Sequence, residues 1–313
     1  MRLATWAQES SVPILGDMGR AVLSNLRIAR EFAADGRAYA RTSSWRPRHL
    51  EGTAQIQRDL TFWYHQVEKA FSLPVPRRPF GARAQENLEQ ILGAAQTAEI
   101  DSTVAEAAES ALGALRVWND GGEPSESVSP LRTQFGGLED PAAFFESRHS
   151  CRNFNPSARV DEATLRMAFR LTQSTPSVCN RQCGRIHYFG DANLVQKALS
   201  FQNGNRGFGE SVPHLAVITA DRRAFNEASE RNQRWVDGGL FAMTFVWVLQ
   251  SLGLASCMLN WSMGVTATRQ LRAALDLPEH EDVICMVAFG KPVETARRAR
   301  SARLPQSIIV TEH

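Results

Sequence analysis

The sequence predicts a layered protein of helices and strands, preceded by an all-helical region. Three observations carry this. The first third places apolar residues at spacings of three and four; a Gly-, Ser- and Pro-rich stretch follows; beyond it, short β-branched and aromatic runs alternate with helical patterns. A boundary near residue 135 divides the chain into a helical extension, 1–135, and a second domain, 136–313, as expected for 313 residues.

Taken in order, the patterns Met18 to Phe32, Ile56 to Phe71 and Gln85 to Val117 read as helices, separated by Pro- or Gly-containing breaks. From Asn119 to Gly137 the chain is poor in bulky apolar residues, as an exposed connection is. Asp161 can cap a helix running to about Thr172. Ile186 to Phe189, Leu215 to Thr219 and Val283 to Phe289 read as buried strands. No charge occurs between Asp237 and Arg269, a length that would span a bilayer, but Gln250, Ser251, Gly253, Asn260 and Ser262 interrupt it. That stretch is read instead as a buried helix, Leu240 to Leu249, followed by a strand, Ala255 to Trp261. Ile308 to Thr311, near the end, is strand-like: an edge strand or an arm on a partner.

Composition narrows the function. With 43% hydrophobic and 22% charged residues, wholesale disorder is excluded. Lys plus Arg (35) nearly balance Asp plus Glu (33), so any anion site must be local, and no general pull toward nucleic acid or membrane is expected. The Arg-rich ARRARSAR (296–303) lacks interleaved aromatics and is read as a solvated run. The first twenty residues show no secretory pattern, which leads to an expectation of a cytoplasmic protein. Five cysteines, an odd number without Cys-x-x-Cys spacing, point to free thiols. Cys179 and Cys183 raise redox or metal chemistry, but no histidine stands at zinc-ligand spacing, so no metal is expected.

Two segments carry the chemistry. In SRHSCRNF (147–154), Arg148, Ser150 and Arg152 alternate, so an extended chain projects all three from one face, where guanidinium forks and a hydroxyl suit a phosphate. The competing reading is a solvated Arg-rich helix end. In STPSVCNRQC (174–183), Pro176 ends a helix and Ser177, Asn180 and Gln182 offer donors and acceptors without charge, as a heterocycle edge requires. A polar loop is the plain alternative.

These blocks, in this order, resemble the nitroreductase superfamily of FMN-dependent enzymes, particularly the oxygen-insensitive nitroreductase and dihydropteridine reductase type. The family's Arg-x-Ser-x-Arg/Lys-x-Phe block is matched by Arg148, Ser150, Arg152 and Phe154; its Pro-Ser-x-x-Asn-x-Gln block by Pro176, Ser177, Asn180 and Gln182. An Asp-x-Gly helix and Leu-Gly-Leu strand correspond to Asp237, Gly239 and Leu252 to Leu254, and the tail RLPQSIIVTEH is similar to that of the family. The resemblance covers about the last 175 residues. It implies an α+β fold with a central mixed, mainly antiparallel sheet flanked by helices. It further implies FMN, with Arg148, His149, Ser150 and Arg303 around its phosphate, Arg152 at the pyrimidine side, and Pro176, Ser177, Asn180 and Gln182 at the ring edge. Asn260 and Trp261 would present backbone N–H groups toward flavin N5, and the catalytic set would be Arg152, Asn260 and Trp261. Cys183 and Asn260 depart from the family's usual proline and acidic residue.

The implied activity is transfer of reducing equivalents from NADH or NADPH to a quinone, a nitroaromatic or a similar small molecule, by a homodimer with Phe241 to Leu249 at the seam. Two other readings stand beside it: an FMN-dependent dehydrogenase or oxidase of a specialised metabolite or peptide, and a non-catalytic binding or assembly subunit. FWYHQVEKAFSLPVPRRPFG (62–81) is similar to the helical extension of nitroreductase-like proteins encoded beside surface-polysaccharide genes. Its His65, Glu68 and Lys69 share one helix face and are read as a surface ion pair beside a histidine.

Overall fold

A computed structural model describes residues 13–43, 52–96, 98–124, 126–130 and 136–313. Among the described residues the extension holds four helices, α1 (Pro13–Thr42), α2 (Thr53–Phe71), α3 (Ala82–Ala95) and α4 (Ser102–Asn119). After them come α5 (Pro141–Ser147), α6 (Glu162–Thr172), β1 (Gly184–Phe189), α7 (Ala192–Leu199) and β2 (His214–Asp221). The chain ends with α8 (Gln233–Ser251), β3 (Ala255–Asn260), α9 (Val265–Leu275), β4 (Glu281–Gly290) and the single turn α10 (Gln306–Ile309).

The four strands form an antiparallel sheet in the order β1-β2-β4-β3. Among the described residues a parallel contact appears only as an isolated bridge, Ser150 to Ser256. Every residue of β2 is buried, because both faces are covered. Leu215 and Val217 face a core shared with Val195 and Leu199 of α7 and Leu271 of α9. Ala216 and Ile218, one pleat out of phase, face Leu165 of α6 and Phe245 and Leu249 of α8. Gly238 allows α8 to lie this close to the sheet, since a Cβ there would sit 2.6 Å from Ile284. The Asp161 carboxylate accepts from Thr164 N at 2.8 Å, the cap the sequence predicts, worth about 1 kcal/mol.

The extension has its own core, in which Leu60 and Val67 of α2 meet Leu88 of α3 and Leu112 and Leu115 of α4. α1 is strapped to the sheet-bearing part of the chain by polar contacts. Glu31 accepts from Val265 N at 2.9 Å, the Tyr39 hydroxyl donates to Glu227 O at 2.7 Å, and Asp35 pairs with Arg234. Arg234 is fully buried; its Nε donates to Asp282 Oδ2 at 2.6 Å, and Asp282 also receives Arg222.

Several elements depart from the sequence reading. The pattern Gln85 to Val117 is two helices, because Asp101 starts a new one by accepting from Thr103 N. α1 runs well past Phe32, and β3 stops one residue before Trp261. The edge strand offered for Ile308 to Thr311 is not formed: Gln306–Ile309 is the turn α10 with exposed flanks, and among the described residues no strand pairs with it. Half of the expected seam, including Ala242, Phe245, Val246 and Leu249, lies in the chain's own core; Trp235, Val236 and Leu240 are the exposed apolar residues of α8. The expected boundary near 135 lies outside the described residues.

Candidate functional site

The chain leaves α5 at Arg148 in an extended conformation and runs beside the edge strand β3. Cys151 N donates to Ser256 O at 2.9 Å, and Phe154 bridges Pro292. Cys151 points into the core, so its neighbours Ser150 and Arg152, with Arg148 in phase with them, turn the other way; Phe154, also in the core, breaks the alternation. Together with His149 they line a cleft of about 750 Å³. The tail beyond β4 returns to the same cleft and adds Arg298, Arg300 and Arg303, guided by Val293 N donating to Asn153 O at 3.1 Å.

Five guanidinium groups thus share one cavity with a single carboxylate, that of Glu146. Among the described residues none of the five is paired with an acid. Arg303 Nη1 donates to Ser301 O at 2.8 Å, and the Arg148 guanidinium lies 5.9 Å from the Trp247 ring centroid. Gathering uncompensated cations raises their energy, which a bound anion relieves. A phosphate, accepting planar pairs of N–H donors and a hydroxyl, fits this donor set.

A second cleft, of about 290 Å³, is lined by Pro176, Ser177, Gln182, Gly184, Asp237 and Phe241 among others. The loop that forms it is held from within: the Ser177 hydroxyl accepts from Gln182 N at 2.9 Å, and the buried Asp237 accepts from Val178 N at 3.1 Å and Gln233 Nε2 at 2.8 Å. Gly184 is required here because a Cβ would fall 2.4 Å from the Phe241 ring. Asn180 lies on the turn at the cleft's side and lines neither cavity.

Asn260 and Trp261 also line neither. Asn260 Nδ2 donates to Ser262 Oγ at 2.8 Å, its carbonyl accepts from Gln202 Nε2 at 2.7 Å, and Trp261 Nε1 donates to Thr268 Oγ1 at 3.0 Å. One copy of the chain therefore gathers Arg148, His149, Ser150, Arg152 and Arg303 at one place and Pro176, Ser177 and Gln182 at another. His65 Nδ1 stands 3.3 Å from Glu68 Oε2 on α2, and Lys69 is exposed.

The thiols carry no nucleophile in these clefts. Burial, reinforced by the Asp237 carboxylate, pushes Cys183 up to about 12, so it stays protonated and packs as an apolar group. Burial raises Cys151 and Cys257 as well. Among the described residues no three His, Cys, Asp or Glu side chains gather as metal ligands, and no helix is long and apolar enough to cross a membrane.

Sequence reasoning missed Arg298 and Arg300 as cleft residues. Their closeness to Arg303 was visible, but nothing local says that the tail folds back. It also did not assign Asp237 its role as acceptor for the 176–182 loop.

Residues 145–291 match the family model described as "Nitroreductase family". Among solved structures, a protein described as a nitroreductase, in complex with FMN, from Exiguobacterium sibiricum 255-15 superposes with a TM-score of 0.50 at 14% identity, over 57% of this chain and 100% of that chain. An FMN-dependent nitroreductase from Clostridium difficile R20291 gives 0.47 at 18% identity, over 55% and 98%. A nitroreductase-like protein from Streptococcus mutans gives 0.47 at 17%, over 54% and 96%. No curated protein sequence matches the chain.

Proposed function

We infer, from the premise that residues 145–291 are a nitroreductase-family domain, that this chain is an FMN-dependent oxidoreductase acting on small molecules. The observation that carries the reading is the convergence of Arg148 and Ser150 with Arg303, more than 150 positions away, on one cleft whose cations have no acidic partner among the described residues. When bound, FMN supplies reversible two-electron chemistry, relaying reducing equivalents from NADH or NADPH to an electron-poor acceptor such as a quinone or a nitroaromatic.

In this reading Arg148, Ser150 and Arg303 hold the phosphate by charge-assisted hydrogen bonds, with His149 beside them. His149 Nδ1 lies 2.8 Å from Ser147 O, which makes Nδ1 the protonated nitrogen and fixes the ring. Arg152 places a fixed positive charge at the pyrimidine end, where negative charge accumulates on reduction. Ser177, Asn180 and Gln182, following Pro176, meet the ring edge with neutral donors and acceptors. Asn260 and Trp261 contribute backbone N–H groups.

The two clefts are separate within one chain, so the reading calls for a homodimer in which the loop of one copy completes the cleft of the other. The exposed Trp235, Val236 and Leu240 of α8 and Ile308 and Ile309 of the tail are apolar surface of the kind such an interface covers.

The test is the absorption spectrum of the purified protein, before and after anaerobic NADH or NADPH. A flavin spectrum bleached by either nucleotide supports the reading. A bound flavin inert to both, but reduced by an organic donor, replaces the reductase with a dehydrogenase. Colourless protein that takes up no added FMN refutes the flavin function.

A further inference from the structure

Nothing above gives residues 1–135 a part in the site, yet α2 packs directly on the turn that carries Asn180. Within that turn Cys179, Asn180 and Gln182 all have left-handed backbones, with φ of 48°, 53° and 47°. Asparagine tolerates this region, whereas cysteine and glutamine do so at a cost and persist there only where surrounding contacts hold them. Some of those contacts come from the second domain: Arg181 Nη1 donates to Ala224 O at 3.0 Å, and Asp237 accepts from Val178 N. Others come from the extension. Gln66 Nε2 of α2 approaches Cys179 Sγ at 3.9 Å, and the Asn180 amide stands near enough to the phenol of the buried Tyr64 to act on its charge. Tyr64 is itself locked, belonging to the extension's own core with Leu60 and Val67. The strained turn is therefore braced from outside the domain that owns it, by an element with an independent core.

We propose that Tyr64 and Gln66 are positioning residues: through Cys179 and Asn180 they hold the 177–182 loop in its left-handed form, setting Asn180 for the flavin ring edge. This rests on the FMN reading above. It makes α2 part of the cofactor-binding apparatus without itself touching the cofactor.

The test compares wild type, Tyr64→Phe, Gln66→Ala and the double variant with Lys69→Ala, a control on the exposed side of the same helix. Tyr64→Phe keeps the ring's packing, so it remains informative if the double variant fails to fold. Two quantities are read: amide hydrogen exchange of the 176–184 segment in flavin-free protein, and the FMN dissociation constant by fluorescence quenching. Each single variant is expected to speed exchange of that segment and weaken FMN by up to about fivefold, the size of one neutral polar contact. Exchange across β2 and β4 stays as in wild type, as does everything in Lys69→Ala. A merely structural role would instead raise exchange throughout and leave no local signature. Unchanged exchange at 176–184 overturns the inference, and so does faster exchange with unaltered FMN affinity. Wild-type protein that binds no FMN sinks the functional reading instead. That failure is told apart because exchange is measured without flavin.

Discussion

Removing the arginines of the first cleft should weaken FMN without unfolding the protein. Arg148 and Arg303 line a cavity whose five guanidinium groups have no acidic partner among the described residues, so truncating either leaves no carboxylate stranded. A hydrogen bond to a charged group contributes about 1.5–3 kcal/mol. The cleft is open to solvent and three other arginines remain, which places each loss at the lower end, about 1.5 kcal/mol or roughly tenfold in Kd. Arg148→Ala and Arg303→Ala should each raise the Kd for FMN about tenfold, and the pair about a hundredfold if the two act independently. Riboflavin has the same ring system and no phosphate, so its weaker binding should not respond to either change. Wild-type affinity for FMN should also fall with salt, whereas riboflavin's should not. Fluorescence titration of both ligands against all four proteins supplies the assay. Arg148 also lies against Trp247, so urea unfolding of each variant must accompany it. Equal losses for FMN and riboflavin would refute phosphate recognition, as would two variants that bind FMN like wild type.

Three further outcomes follow from the geometry. Arg152→Ala should lower turnover more than it lowers stability, because Arg152 is exposed at the cleft; steady-state rates beside urea midpoints test this. Asp282→Ala should destabilise the fold by about 3 kcal/mol, since it leaves the buried Arg222 without a carboxylate and Arg234 with Asp35 alone; a variant unfolding at the wild-type urea midpoint would contradict the buried network. His214 should make stability fall in mild acid. Its Nε2 accepts from Val160 N at 3.3 Å, so Nδ1 carries the proton toward the Tyr188 hydroxyl at 2.8 Å, and burial, aided by Arg159, lowers its pKa from 6.5 to about 4. The unfolded chain takes up the proton first as pH falls through 6.5, so about 3 kcal/mol is lost between 6.5 and about 4 and no more below. His214→Phe, keeping the stack on Phe289 at 5.4 Å, should remove that slope in pH-dependent urea titrations.

Much of the architecture was legible because its causes are local. The Asp161 cap, the strand runs of β1, β2 and β4, and the alternation at 148–152 each depend on residues within a few positions of one another, although β1, read as buried, is a half-buried edge strand. The split between α3 and α4 was missed for the same reason in reverse: the residues between them continue the helical spacing, and only the Asp101 cap marks the restart. The tail's strand pattern was real, but a strand is defined by a neighbour, and among the described residues none pairs with it.

The amino-acid order alone determined which faces of which segments are polar, since side-chain direction repeats every two residues in a strand and every 3.6 in a helix. It did not determine which of those faces meet. That Arg298, Arg300 and Arg303 return to Arg148, that 176–182 forms a cleft apart from them, and that Tyr64 braces a turn more than a hundred residues away are results of tertiary packing. Periodicity is a short-range property of the backbone, whereas convergence depends on how the sheet and its covering helices close over their cores.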